Sequence, residues 1–324
     1  MKQIPNVRDL RNILVLRGEG SLGDAIISSC CYRNIKKVSP QTKITVACFG
    51  SAYDFIAHNP YIDEVARLPV RHIIRPNQRW ISLFLTALKL RKCQFDLVLD
   101  SSNKDFWNWR AFKWIVGGDR VLDCFTSPVR PFGAPDKHGS KHEQAILKLL
   151  GIEDADKSYD LPISAHTRQD VQNWLESRKL SSYILINPSG SIDKRGFRPD
   201  MLHEICMRLR VLGLPFVVAT LPRAYDKWVT ALKDMPDVQI KRTADVFELF
   251  DLVRRAVLVV TPDTAAVHIA SGFEKPSLVF YNTLSAYNAP ENPKALIIQS
   301  SPEDINRFDW KDFLARLDAL KQLL

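Results

Sequence analysis

Three stretches of this 324-residue chain combine residue types that could hold an anion or move a proton. The first is Arg17-Gly18-Glu19-Gly20-Ser21-Leu22-Gly23-Asp24, between an apolar run and a helix-forming run. Small residues let a ligand approach the backbone, and a helix start favours negative charge. Gly18, Gly20 and Gly23 fall as G-x-G-x-x-G, but the second strand closes Val46-Ala47-Cys48-Phe49-Gly50 with no acidic residue. That absence argues against NAD, and the stretch lacks the GK[ST] of a P-loop. Asp24 is the carboxylate at the helix start. Two readings of it stand: a helix cap or a general base.

The second stretch is Asn187-Pro188-Ser189-Gly190-Ser191, followed by Lys194, Arg195 and Pro199. Hydroxyls, free amides and a point cation ahead of a proline-opened helix would make a diphosphate cradle. A solvated basic loop has the same composition. The third is Thr261-Pro262-Asp263-Thr264-Ala265-Ala266-Val267-His268. Asp263 or Thr264 can cap a helix whose first amides face an anion. His268 lies one turn beyond Thr264 on the same face, where a packed core histidine is equally allowed.

Each stretch is expected at the end of a strand. Apolar runs at Asn12–Leu16, Ile44–Cys48, Leu97–Asp100, Tyr183–Asn187, Phe216–Thr220, Val238–Ile240, Leu258–Thr261 and Ser277–Tyr281 read as strands. Helical patterns fall at 25–38, 80–92, 199–212, 224–233, 246–255, 264–273 and 310–324. This alternation predicts parallel βαβ units in two doubly wound α/β domains. Ligands of such sheets sit beyond the carboxyl ends of the strands. The polar stretch 152–181 is expected to hold the linker, with one short extended segment.

Net charge is +9, from 45 Lys and Arg against 36 Asp and Glu. That excess implies an acidic partner. Arg67, Arg71, Arg75 and Arg79 recur every four residues, followed by Lys89, Arg91 and Lys92. Arg130, Lys137, His138, Lys141 and His142 cluster later. These form either a solvated basic surface or the mouth for an anionic substrate. No nucleic-acid-binding signature accompanies them, so nucleic acid is not expected as a partner. The six cysteines show no CxxC pair and read as reduced core residues. The histidines lack metal-ligand spacing, and Asp154-Ala155-Asp156 lies in the polar linker, so no metal is expected. The aromatic group Trp107, Trp109 and Trp114 reads as helix packing rather than a sugar platform. The polar N-terminus lacks a signal-peptide core, and no apolar run of about 18 residues occurs. Any membrane contact is therefore expected to be peripheral.

Together these segments resemble glycosyltransferase family 9, the bacterial heptosyltransferases of lipopolysaccharide core synthesis. ILVLRGEGSLGD resembles the family's opening strand and turn, and FDLVLDSSN a later strand ending in Asp. INPSGSIDKRGFRP resembles its donor-phosphate loop, and TPDTAAVHIASGFEKP its most diagnostic stretch. Two departures are Ala265, where the family often has Gly, and a loop two residues longer before Pro199.

The resemblance implies a GT-B fold of two Rossmann-like domains facing a central cleft. Residues 1–165 would bind the acceptor and 166–307 the nucleotide sugar, with helix 308–324 packing back on the first domain. It implies inverting transfer from ADP-heptose to the lipopolysaccharide inner core at the cytosolic face of the inner membrane, without an obligatory metal or other cofactor. Asp24 would be the base, and Lys194 would assist the leaving group. Ser189, Gly190, Ser191, Lys194, Asp226, Asp263, Thr264, Ala265 and His268 would bind the donor. Gly20, Ser21, Arg67, Arg71, Arg75, Arg130, Lys137 and His138 would meet the acceptor. Competing readings are a GT-B transferase or epimerase for another nucleotide sugar, and a binding homologue without turnover. Asp24 and Lys194 together argue against the last.

Overall fold

The computed structural model describes residues 4–17, 21–50, 52–69, 79–101, 107–123, 139–190, 195–283 and 288–324. The chain divides into two compact units, Met1–Asp160 and Leu161–Leu324. The first contains strands β1 (Asn12–Arg17), β2 (Lys43–Cys48), β3 (Glu64–Arg67), β4 (Leu97–Asp100) and β5 (Val121–Asp123). Its helices are α1 (Leu22–Ile27), α2 (Ser29–Val38), α3 (Ala52–Ala57), α4 (Arg79–Arg91), α5 (Trp107–Gly117) and α6 (Gly139–Leu149). The strands form one parallel sheet in the order β3-β2-β1-β4-β5.

The central strands are apolar between their ends because helices cover both faces of a doubly wound sheet. Ile13 to Leu16 and Val98 to Leu99 are all buried. The sequence periodicity predicts one helix over 25–38; the structure starts at Leu22 and breaks at Ser28. The Ser28 hydroxyl donates to the Ala25 carbonyl (3.1 Å) and that of Ser29 to Ile26 (2.7 Å). Such local bonds compete with the helical ladder.

The second unit holds α7 (Ala165–Glu176), β6 (Ile184–Ile186), α8 (Pro199–Leu209), β7 (Phe216–Thr220), α9 (Tyr225–Ala231) and β8 (Val238–Arg242). It continues with α10 (Val246–Arg255), β9 (Leu258–Pro262), α11 (Ala265–Gly272) and β10 (Ser277–Tyr281). It ends with β11 (Ala295–Ser301), β12 (Asp304–Phe308) and α12 (Trp310–Leu323). Its sheet runs β12-β11-β10-β9-β6-β7-β8 and is parallel except for β12 on β11.

The division after Asp160 falls within 152–181, where the linker is expected, and the later part of that stretch forms α7 rather than an extended segment. Ser164 caps it by accepting from the Thr167 amide at 3.0 Å, and Val171 and Leu175 bury one face. Apart from Ala165 and Trp174 the rest of the helix is polar, which is why its composition resembles a linker. The final helix, expected to return to the first domain, buries Phe313, Leu317 and Leu320 in the second unit's own core with Phe280, Ile298 and Ile305. Strand β12 turns back along β11 and delivers α12 to that face.

Both sheets reverse strand order beside their first strand: β1 neighbours β2 and β4, and β6 neighbours β7 and β9. At such a switch point the two following loops diverge to opposite faces and leave a crevice at the strands' carboxyl ends.

Candidate functional site

At the switch point of the first sheet, β1 ends in Arg17, which is buried. Its guanidinium forms a two-pronged contact with Glu143 of α6, at 2.9 and 3.3 Å, and donates from Nε to the Tyr32 hydroxyl at 3.2 Å. The Cys31 thiol donates to Glu143 at 3.0 Å. Burial opposes the charge on Arg17, but Glu143 together with Tyr32 and Cys31 outweighs it and raises its pKa. Burial pushes the Tyr32 hydroxyl and the Cys31 thiol upward. The network anchors the strand end from which the glycine loop departs.

Beyond that loop, Ser21 caps α1. Its Oγ accepts from the Asp24 amide at 3.2 Å, and its hydroxyl donates to the Asp24 carboxylate in a short hydrogen bond. The N-cap is thus Ser21, and Asp24 is a half-buried carboxylate in the first helical turn that is joined to that cap. Ser21 is half-buried too. A base needs a fixed direction and access, and the cap supplies the direction.

Strand β4 ends at Asp100, which is fully buried. Asp100 accepts from Trp109 Nε1 at 3.0 Å and pairs with Lys113 at 2.7 Å, while Lys113 also reaches Asp123. Burial pulls the Lys113 ammonium down, but the two carboxylates hold it above its ordinary value. Asp100 is thus a structural hub joining β4, β5 and α5. Of the tryptophan group, Trp109 is buried as expected of a packing residue, whereas Trp107 and Trp114 are exposed.

On the second sheet, the loop after β6 and the start of α11 after β9 meet. Asn187 Nδ2 donates to Thr264 Oγ1 at 3.1 Å and to Thr261 Oγ1 at 3.4 Å. Thr264 is the N-cap of α11 and accepts from the Ala266 amide at 3.2 Å. Asp263, Thr264 and Ala265 are half-buried, and His268 behind them is buried. The Asp263 amide donates to the Phe280 carbonyl at 2.9 Å, which fixes this corner on β10.

Ser189 and Gly190 are half-buried in the same loop. A β-carbon on Gly190 would lie 2.3 Å from the Arg195 carbonyl carbon and oxygen, so the chain closes on itself here and only glycine fits. The Phe197 amide returns to the Pro188 carbonyl at 2.9 Å. Asn306 of β12 holds the far side, donating to the Gly196 carbonyl (3.1 Å) and accepting from the Arg198 amide (2.9 Å). Pro199 then opens α8.

Asp226 is exposed in the first turn of α9, beyond β7. Arg67 closes β3, is exposed, and lies over the Tyr53 ring at 4.8 Å from its centroid. Arg79, the last of the four arginines at that spacing, begins α4. Gly20, Arg71, Arg75, Arg130, Lys137, His138, Ser191 and Lys194 lie outside the described residues. Asp156, in the expected linker, is bound to Arg33 at 3.3 Å and Lys37 at 3.4 Å, and so staples the chain to α2. Among the described residues no cluster of three or more His, Cys, Asp or Glu is placed to hold a metal.

The sequence alone did not single out Glu143, Lys113 or Asn306, and it marked Asp100 as a strand end without its partners. Glu143 was visible as the acid within the basic run Lys141-His142-Glu143. Its partner lies 126 residues away.

The family model for glycosyltransferase family 9 (heptosyltransferase) matches residues 140–312. A provisionally named lipopolysaccharide heptosyltransferase 4 of Escherichia coli strain K12 is 25% identical over 317 residues, covering 91% of this chain and 80% of that protein. The crystal structure of a family 9 glycosyl transferase from Veillonella parvula DSM 2008 superposes with a TM-score of 0.76 at 16% identity, covering 98% of each chain. E. coli heptosyltransferase WaaC with ADP superposes at 0.67 and 13% identity, covering 94% of this chain and 99% of that one. The shared architecture is GT-B.

Proposed function

The chain belongs to glycosyltransferase family 9, and from that premise we propose that it moves heptose from ADP-heptose onto the inner core of lipopolysaccharide or lipooligosaccharide. The observation that carries the reading is the corner formed by Asn187, Thr264 and the start of α11 at the second sheet's switch point.

A nucleoside diphosphate has two needs that this corner meets. Backbone amides at the start of α11 face its negative charge, and a sterically closed loop at Gly190 brings further backbone close. Asp263, Thr264, Ala265 and His268, with Ser189, Gly190 and Ser191, form the donor side. Asp226 is assigned to the donor as well. Lys194 is assigned the charge that builds on the diphosphate as the glycosidic bond breaks.

The acceptor hydroxyl is a weak nucleophile. Asp24, directed by Ser21, takes its proton while the acceptor oxygen attacks the anomeric carbon from the face opposite the diphosphate. One bond forms, one breaks, and the configuration inverts. No step requires a metal. Ser21, Gly20, Arg67, Arg71, Arg75, Arg130, Lys137 and His138 are assigned to the phosphorylated acceptor, whose negative charge the +9 chain attracts. The acceptor's lipid places the reaction at the cytosolic face of the inner membrane, with the protein in peripheral contact. Among the described residues no helix is long and apolar enough to cross a membrane.

The test is transfer from ADP-heptose, set against ADP-glucose and UDP-sugars, onto lipopolysaccharide cores truncated at successive sugars. Products are read by mass spectrometry. A mass increment of one heptose on one core supports the reading. Transfer of another sugar alone, or none with any donor, removes it.

A further inference from the structure

Helix α4 carries an unusual surface. Ile81, Phe84, Leu85 and Leu88 are 66%, 46%, 51% and 37% exposed, while Leu83, Ala87 and Leu90 face the core. Spacings of three, four and seven residues place the four exposed side chains on one stripe. Lys89 and Arg91 lie on either side of that stripe by helical angle, and Lys92 follows it. Helix α5 packs beside α4 and shows the same pattern. Trp107 and Trp114 are 59% and 71% exposed, seven residues apart, with exposed Arg110 on the same face.

The remaining exposed large apolar residues among those described, such as Met207, Val229 and Leu314, belong to the second unit, and none of its helices carries four of them. Dispersed apolar side chains are ordinary, but a contiguous stripe marks a contact surface. No Asp or Glu occurs in 79–92 or 107–117. That charge pattern selects the occupant. A second copy meeting this face would set cation against cation. An anionic bilayer neutralises the cations and accepts leucine, phenylalanine and tryptophan at its headgroup boundary.

We propose that the outward faces of α4 and α5 are a membrane-docking surface that lies in the interface of a bilayer containing anionic phospholipid. It rests on the peripheral membrane contact proposed above and identifies the residues that make it. Apolar side chains enter to the acyl boundary, and the lysine and arginine stems extend along them to the phosphates.

The experiment is sedimentation of the full chain with vesicles of phosphatidylcholine alone or with 30% phosphatidylglycerol, alongside quenching of tryptophan fluorescence by brominated acyl chains. Binding is expected only with the anionic lipid and is expected to weaken with salt. Lys89→Glu and Lys92→Glu are each expected to cost about fivefold or more in partition coefficient. Leu85→Glu with Trp114→Glu is expected to abolish it. The altered side chains are exposed, so thermal unfolding stays at the wild-type temperature, and transfer to a detergent-dispersed acceptor is unchanged. Equal binding by the Leu85→Glu, Trp114→Glu variant overturns the proposal. So does a wild-type dimer in scattering measurements that the same variant dissolves, since the face would then be covered by a second copy. Because the vesicle assay contains neither donor nor acceptor, docking and transfer can fail separately.

Discussion

The side-chain amide of Asn187 donates to the Thr264 hydroxyl across 3.1 Å and so ties the carboxyl end of β6 to the N-cap of α11. The bond spans 77 positions, and it positions the amides at the start of α11 against the loop that carries Ser189 and Gly190. Asn187→Ala is expected to weaken ADP binding about fivefold, the value of roughly one neutral hydrogen bond. Calorimetry on Asn187→Ala, Thr264→Val and the double variant checks it. The two losses should be strongly non-additive, and simple addition would mean that the bond does not shape the site.

Asp24→Asn is expected to lower kcat by about 10²–10⁴ while ADP affinity stays near the parent value. The amide oxygen can still accept from Ser21, so the α1 cap persists and folding is preserved. Ser21→Ala should give a smaller rate loss together with about 1 kcal/mol of destabilisation, since it removes both the cap and the direction of the carboxylate. Normal turnover by purified Asp24→Asn would show that the base lies elsewhere.

Glu143→Ala leaves the buried Arg17 without its carboxylate partner. Removing one member of a buried pair costs about 3–5 kcal/mol. Denaturant unfolding of the first unit should show that loss. Arg17→Met combined with Glu143→Leu should recover much of it, because no uncompensated charge remains. If the single and double variants are equally destabilised, packing rather than charge holds this strand end.

The Asp156 carboxyl is held down to about 2 from the ordinary 3.8, chiefly by the Ser158 hydroxyl and amide and further by Arg33. In the unfolded chain it titrates near the ordinary value. Its ionisation therefore stabilises the fold above that pH, and the gain is lost as pH falls from 3.8 toward about 2. Asp156→Asn should lower the melting temperature by a constant amount above about pH 5, and the two curves should converge at the acid end. A gap that persists unchanged at the lowest pH would remove the carboxylate as its cause.

The residues of the chain alone determine where strands and their following loops fall. Runs such as Phe216–Ala219 and Leu278–Tyr281 are apolar at every position, because a parallel sheet covered on both faces requires it, and the structure places strands β7 and β10 over Phe216–Thr220 and Ser277–Tyr281. The glycine loop before Asp24, the loop from Asn187 and the Asp263–His268 turn were legible for the same reason: each is punctuation at a strand end. Local pattern also marked the last helix at 310–324, but not the unit it joins. Its partners Phe280 and Ile298 are distant in sequence, and apolar periodicity is silent about which core receives it. Helix α7 was hidden because only Val171 and Leu175 of its 12 residues are buried. The tertiary structure alone decided that Glu143 neutralises Arg17, that Asp100 binds Trp109 and Lys113 internally, and that Asn187 reaches Thr264. A buried charge or amide is satisfied by whichever group the fold brings within about 3 Å, and the topology of the sheet, not the distance along the chain, sets which group that is.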